Sequence, residues 1–300
     1  MKFKLFIIAF ISIAIIIPFA KAFEIPFPGE AGFYIGKPML YIIAGTAGDP
    51  KTVGQEGVYN FGPDKVTLDG VEYYDCSFKT TDLDGAHFYF GINSKNGILT
   101  QKGIKFGTTE INIKPAVVTI KYPLFAGEKW DNKNNKTELN AKNIKIGDIA
   151  IPELNVKDVT VETKVSSSAI NVPTGNVECL LIETVYKGNV LGAISVKLTQ
   201  RTWMSVDNVP VKRSFELVSE QLMKTPTIVY DMELSEPNPD IYDLNWDGVV
   251  NILDLMIVTK YYGQNIQSVR VPNPDIDGNR IVDLNDMELL IAHFGEVYKK

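Results

Sequence analysis

The 300-residue sequence has little histidine and little cysteine, and it lacks two common nucleotide- and ester-directed motifs. It holds two histidines, His87 and His293, and two cysteines, Cys76 and Cys179. Histidine-dependent catalysis is therefore limited to two positions. A Gly-rich phosphate loop and a Gly-x-Ser-x-Gly elbow are both missing from the sequence, which argues against a P-loop nucleotidase and a serine hydrolase of the α/β class.

The sequence also lacks a block of basic residues. Formal net charge is −6, and the first 22 residues hold three lysines and no acid. Without that segment, 27 basic residues stand against 36 acidic ones, a net charge of −9. An acidic chain of this kind is a poor candidate for binding nucleic acid or anionic lipid.

One long apolar run is present, at the N-terminus, and no second run of spanning length follows it. Residues 5–19 are apolar, come after a short basic start, and lead into Ala20, Lys21 and Ala22. This is the pattern of a cleaved signal peptide over residues 1–22, and the run is shorter than the ~20 residues that cross a bilayer. We expect a secreted or cell-surface protein with no membrane insertion after signal cleavage.

Outside the cytoplasm a disulfide can persist, and Cys76 and Cys179 are the only pair that could form one. Both lie in segments typical of strands. Two buried free thiols are the alternative, because cysteine is well suited to a core and the sequence does not give the distance between the two sulfurs.

Residues 23–233 are typical of an all-β domain. Asp69-Gly70 and Asn96-Gly97 each separate two β-prone runs, as in tight hairpins, and residues 187–189 suggest another turn. Short strands at even spacing predict a mainly antiparallel barrel, half-barrel or sandwich. The Asn- and Lys-rich interval 131–145 is predicted to be an exposed loop.

The β domain offers carboxylates and aromatics but no convincing catalytic set. Trp130 and Trp203 could stack on sugar, yet aromatics in β domains usually belong to the core. Residues 122–130, 172–179 and 201–203 resemble segments of exported bacterial and archaeal β domains of unknown function. That resemblance implies an architecture and no chemistry.

A Pro-containing linker at residues 234–240 precedes a small module at residues 241–300. A twelve-residue stretch of the module places oxygen ligands at positions 1, 3, 5, 7, 9 and 12, the spacing that wraps calcium. In this first loop they are Asp243, Asn245, Asp247, Val249 (through its carbonyl), Asn251 and Asp254.

The same pattern returns 32 residues later. The ligands of the second loop are Asp275, Asp277, Asn279, Ile281 (through its carbonyl), Asp283 and Asp286. Each loop leads into an amphipathic run that stops at a glycine, Gly263 or Gly295, which predicts one helix after each loop. We therefore expect two calcium ions.

Tandem loop-and-helix units with Asp at position 12 resemble a dockerin domain. The resemblance implies a calcium-dependent contact with a cohesin domain of another extracellular protein, through positions 10 and 11 of each loop. Those positions are Ile252 and Leu253, then Leu284 and Asn285. Arg280 occupies position 6 of the second loop, where the family has glycine, so the second site is expected to be the weaker.

Three functions are compatible with this organisation. The first, which we favour because the β domain shows no catalytic set, is an exported non-catalytic protein that docks onto a cohesin-bearing partner. The second is a polysaccharide-directed enzyme that its dockerin delivers to an assembly. The third is a self-contained surface protein whose calcium module only staples its own C-terminus.

Overall fold

The computed structural model describes most of the chain in twelve stretches. They are residues 24–29, 38–46, 53–80, 86–133, 136–146, 149–173, 175–190, 194–218, 227–235, 241–245, 247–266 and 272–298. The expected signal peptide lies outside the described residues, as do residues 236–240 of the expected linker.

The described residues before the module form fifteen strands. In chain order they are β1 (Glu24–Ile25), β2 (Pro38–Thr46), β3 (Glu56–Leu68), β4 (Val71–Thr80), β5 (Ala86–Asn93), β6 (Ile98–Phe106), β7 (Thr109–Lys121), β8 (Leu124–Phe125), β9 (Lys129–Asp131), β10 (Thr137–Ile146), β11 (Ile149–Val172), β12 (Gly175–Val190), β13 (Ile194–Ser205), β14 (Pro210–Val218) and β15 (Thr227–Leu234).

Twelve of these strands close into an antiparallel barrel. The order around the sheet is β10, β7, β6, β5, β4, β3, β2, β15, β14, β13, β12 and β11, and β10 pairs again with β11. Most neighbours follow one another in the chain, so the barrel is an up-and-down meander in which closure removes the exposed edges. The prediction of an antiparallel β domain is confirmed, and the barrel is the architecture adopted.

Two predicted hairpin turns are present where the backbone needs a positive φ. Asp69 and Gly70 have φ of 51° and 77° between β3 and β4, and Gly97 has φ of 63° before β6. Residues with short or absent side chains adopt this conformation at low cost, which is why such pairs predict hairpins from sequence alone.

The prediction of a loop over residues 131–145 is wrong, because β10 occupies most of that interval and closes the barrel. Thr137 and Ala141 are buried, whereas Glu138 and Lys142 are exposed. The polar residues that suggested a loop thus alternate along the strand with buried residues such as Thr137 and Ala141. Pairing with β7 and β11 holds the strand in place.

Two other boundaries differ from the prediction. Strand β12 runs without a break through residues 187–189, and a Cβ at Gly188 would lie 2.6 Å from Val156 Cγ1. Gly188 therefore marks a close approach of side chains inside the barrel and not a turn. Leu234, expected to begin the linker, is the last residue of β15 and is fully buried.

Cys76 and Cys179 are both free and buried, so of the two alternatives the structure has the buried thiols and not the disulfide. They lie on β4 and β12, six strands apart around the twelve-stranded ring, and belong to opposite walls of the barrel. Burial raises the pKa of the Cys179 thiol to about 11 and that of Cys76 still further. Both thiols stay protonated and serve as core side chains.

The C-terminal module contains two short helices, α1 (Ile252–Tyr261) and α2 (Leu284–Ala292), around a core of its own. Seven buried residues form this module core: Leu244, Val250, Val258, Tyr261, Ile266, Val282 and Leu290. Among the described residues, no helix is long and apolar enough to span a bilayer.

Candidate metal centres

Each candidate calcium loop ends in the first turn of a helix. Asn251 caps α1 and Asp283 caps α2, and each accepts a hydrogen bond from the backbone of that first turn. The aspartates at position 12, Asp254 and Asp286, complete the capping boxes. The predicted helices are thus present, and the residues proposed as ligands also fix the point where each helix begins.

In the first loop, the carboxylates are held inside the turn by backbone amides. Asp243 accepts hydrogen bonds from the amides of Asp247 (3.0 Å) and Gly248 (2.7 Å). Asp254, which is fully buried, accepts from the amides of Asn245 (2.9 Å) and Asn251 (2.8 Å). The loop therefore wraps around its own acidic side chains.

Burial raises the pKa of Asp254, the backbone hydrogen bonds oppose this rise, and the neighbouring charges of Asp243 and Asp247 add to it. Acids that repel one another in a buried turn are stabilised by a cation placed among them. The donor set, three carboxylates with amide and carbonyl oxygens, is the hard-oxygen set that calcium prefers.

The second loop brings three carboxylates still closer together. One oxygen each of Asp275, Asp277 and Asp286 lies within 4.8 Å of the others. Oδ1 of Asp275 is buried and has no hydrogen-bond partner among the described residues. Burial raises the pKa of Asp275, with further contributions from the charges of Asp286 and Asp277. An orphaned oxygen beside two further carboxylates fits a divalent cation, which would satisfy all three at once.

The two loops differ at position 6, as the sequence predicts. Gly248 has φ of 91°, and Arg280 takes the same left-handed region with φ of 72°. Gly278, at position 4 of the second loop, also has a positive φ of 75°. An L-residue with a long side chain adopts this conformation at a cost of about 1 kcal/mol relative to glycine.

Backbone pairing joins the two repeats, because each loop pairs with the segment that follows the helix of the other repeat. Val249 at position 7 of the first loop bridges to Val297 beyond α2, and Ile281 at the matching position bridges to Asn265 beyond α1. The adjoining residues at position 8, Val250 and Val282, are fully buried in the module core. This reciprocal pairing fixes the backbone at position 7 of each loop against the segment that follows the other repeat's helix.

The residues predicted to contact a partner all lie on the surface. Ile252, Leu253 and Leu284 are 58%, 50% and 56% exposed, and Asn285 is also exposed. Met256, one turn after Ile252, is 61% exposed and extends this apolar surface along α1. We call Ile252, Leu253 and Met256 the α1 stripe. Sequence reasoning did not include Met256, although its spacing of four residues from Ile252 places it on the same helix face.

The opposite end of α1 touches the barrel. The Tyr261 hydroxyl donates a hydrogen bond to Asp207, and Lys260 Nζ lies 3.5 Å from the same carboxylate. Asp207 sits in the turn between β13 and β14. This contact uses the C-terminal end of α1, so the α1 stripe near its N-terminal end remains exposed.

The barrel also holds a histidine–carboxylate pair that sequence reasoning missed. Nδ1 of His87 lies 2.8 Å from Oδ1 of Asp75, and the two residues belong to neighbouring strands, β5 and β4. Their separation of twelve positions in the chain carries no motif, and only the strand register reveals it. Trp130 and Trp203 pack against the barrel core, as predicted.

Residues 241–295 match the family of the dockerin type I domain. This finding confirms the resemblance inferred from the two loops, and the C-terminal module is called the dockerin below. Dockerin domains in general bind calcium and cohesin domains, and proteins that carry them are typically extracellular.

Comparison of the whole chain with other proteins adds little. No curated protein sequence matches it at a significant level. A crystal structure of a protein from Bacteroides fragilis, described as exported and with a YmcC-like fold, is similar over 72% of this chain and 98% of its own. The identity is 11% and the TM-score is 0.37, values too low to support any inference about the barrel.

Proposed function

We propose that this protein is an exported, non-catalytic β-barrel that its dockerin attaches to a cohesin-bearing partner outside the cell. Calcium at both loops, held by the twelve ligands named above, orders the dockerin. The observation that carries the proposal is the combination of the dockerin match with an exposed apolar surface at loop positions 10 and 11.

The α1 stripe, with Leu284 of the second repeat, forms the contact. These four large apolar side chains form an exposed patch, which in a module of this size is typical of a surface that a partner covers. Each could contribute roughly 1.5 to 3 kcal/mol on burial, before the costs of association. Charge does not select the partner, because the nine acids and five bases of residues 241–300 sum to zero with two calcium ions in the loops.

The decisive experiment measures binding of the full chain to a panel of purified cohesin domains, in calcium and in chelator. We expect at least one cohesin to bind in calcium and none in chelator. The double variant Ile252→Asp and Leu253→Asp should weaken binding at least about a hundredfold, because two apolar contacts become buried charges. Its calcium affinity should stay near that of the unsubstituted chain, since neither side chain is a ligand.

The matched control is Val71→Asp, which places the same charge on an exposed apolar residue of the barrel. This variant should bind cohesin normally. If the double variant still binds, the contact lies elsewhere on the surface. If its calcium affinity collapses as well, the two side chains support the loop and not the interface.

Stapling of the C-terminus is the second candidate, and the contact of Tyr261 and Lys260 with Asp207 favours it. A staple would predict that Tyr261→Phe lowers the stability of the barrel, whereas a docking module would tolerate the change with little effect on the barrel. The two functions are compatible, because the contact and the α1 stripe lie at opposite ends of the helix.

A further inference from the structure

An arginine lies inside the barrel with no counter-charge among the residues that the structure describes. Arg213, on β14, is 6% exposed, and its guanidinium lies 4.7 Å from the ring centre of Tyr59, 5.8 Å from that of Phe90 and 5.9 Å from that of Phe88. Among the described residues, Nε and Nη1 of Arg213 have no hydrogen-bond partner. Three aromatic rings surround the cation and stabilise it through cation–π contacts, but they carry no negative charge.

Two other cations of the sheet, one half-buried and one almost fully buried, are paired. Arg201 bonds Glu183 and Glu216, each at 2.8 Å. Lys102, which is almost fully buried, bonds Asp69 at 2.6 Å. Arg213 is equally shielded from solvent, yet it forms no ion pair with any described residue.

The groups that surround Arg213 cannot supply the missing negative charge. Burial raises the pKa of Tyr41, Tyr59 and Cys76 far above their usual ranges, so all three are neutral at physiological pH. The Arg213 guanidinium cannot become neutral by losing a proton, because arginine stays charged in proteins. A buried charge with no partner is strongly unfavourable. Since no described residue supplies a negative charge to Arg213, an external anion is a direct means of neutralising it.

Arg213 lines a cavity large enough to hold such an anion. The cavity measures about 40 Å³ and is lined by Arg213 together with polar and apolar side chains from several strands. Among the polar ones, Thr119 Oγ1 and Gln200 Oε1 are buried and have no hydrogen-bond partner among the described residues. A volume of this size holds about three waters, or a small organic acid of about two carbons.

We propose that this cavity binds the carboxylate of a small aliphatic acid, which forms hydrogen bonds with the Arg213 guanidinium and the Thr119 hydroxyl. One fixed positive charge matches one carboxylate charge, whereas phosphate or sulfate would bring a second charge with no partner. The planar guanidinium also suits the planar carboxylate. Met39, Leu99 and Met204 line the same cavity and provide an apolar surface for a short hydrocarbon chain.

The test measures binding of acetate, propionate and butyrate to the full chain by titration calorimetry and by thermal unfolding. Sodium chloride at equal ionic strength is the reference. We expect one site per chain, and an unfolding temperature that rises with carboxylate concentration more than it does in chloride. The key variant is Arg213→Met, in which an apolar side chain of similar length removes the buried charge. Such replacements are often neutral or stabilising, so the variant is expected to fold.

Arg213→Met should lose the carboxylate effect completely, while Arg201→Met, which removes a paired arginine from the same sheet, should keep it. Retention of the effect in Arg213→Met would overturn the proposal, as would carboxylates that raise the unfolding temperature no more than chloride does. An equal, Arg213-dependent response to chloride and to acetate would also overturn it, because the site would then select charge alone. If Arg213→Met does not fold, Arg213→Lys is the substitute variant. Lysine keeps the positive charge but lacks the planar guanidinium, so acetate binding should weaken at least tenfold. Unchanged binding would refute the proposed geometry.

Discussion

The barrel and the dockerin differ in how many of their large apolar side chains they leave exposed to solvent. Of the fifteen large hydrophobic residues that are exposed among the described part of the chain, twelve lie in residues 241–297 and three in the barrel. The barrel is far longer, yet it hides almost all of its large apolar side chains behind paired strands. The dockerin buries seven hydrophobic residues and places buried aspartates in its two loops.

This difference shows where each region obtains its stability. In the barrel, each of the twelve ring strands pairs with two neighbours, and the strands enclose a large cluster of buried apolar residues. In the dockerin, helices of ten and nine residues are too short to be stable alone, and the acids in the loops repel one another. We therefore expect the dockerin to depend on calcium, so that the free energy of calcium binding contributes to its folding.

The largest expected effect separates the two regions by removing calcium. With chelator, α1 and α2 should lose their amide protection against hydrogen exchange, because the carboxylates of both loops are left uncompensated. The strands of the barrel should keep theirs. Hydrogen exchange on the full chain, with mass-spectrometric readout in calcium and in chelator, measures both regions at once. Equal protection of α1 and α2 in the two conditions would show that the dockerin core is sufficient without metal.

The next prediction uses one substitution at two leucines. Leu180 is fully buried in the barrel core, and Leu253 is 50% exposed on α1. Leu180→Ala should cost about 2 to 5 kcal/mol of barrel stability, because it removes buried methyl groups and leaves a cavity. Leu253→Ala should change stability by less than about 0.5 kcal/mol, since the side chain packs against little in the free protein.

Denaturant unfolding in saturating calcium, followed by tryptophan fluorescence in a Trp246→Phe background, reports the barrel transition through Trp130 and Trp203. The background change removes the third tryptophan, which lies in the first loop of the dockerin. A small effect of Leu180→Ala would mean that the barrel core adapts to the lost volume. A large effect of Leu253→Ala would place that side chain in the dockerin core, and would remove it from the proposed interface.

The comparison of the barrel with the dockerin also explains which features can be predicted from the sequence. The dockerin was predictable because the candidate ligands of its loops follow one another at short spacing, and the turn at Asp69-Gly70 because its demand on φ is local. Strand β10 was not predictable from its polar composition. Lys142 and Asn143 are exposed, and the segment is a strand because it pairs with β7 and β11. The free cysteines, the His87–Asp75 pair and the Arg213 cavity likewise depend on which strands meet across or around the barrel. Sites formed by residues close together in the chain can be predicted from the sequence. Sites formed by residues on different strands of a closed sheet cannot be predicted without the strand register.

The smallest expected effect tests the difference between the two loops of the dockerin. Arg280 has φ of 72° at position 6, where the first loop has Gly248. Arg280→Gly relieves a backbone cost of about 1 kcal/mol and removes a positive charge beside the cation, so the calcium affinity of the second loop should rise about fivefold. The converse change, Gly248→Ala, should weaken the first loop by a similar factor, because its φ of 91° is strained for any side chain. Calorimetric titration of calcium into each full-length variant distinguishes the two sites. If Arg280→Gly leaves both affinities unchanged, the compact group of Asp275, Asp277 and Asp286 already compensates for the strained backbone, and position 6 does not set the order of the two sites.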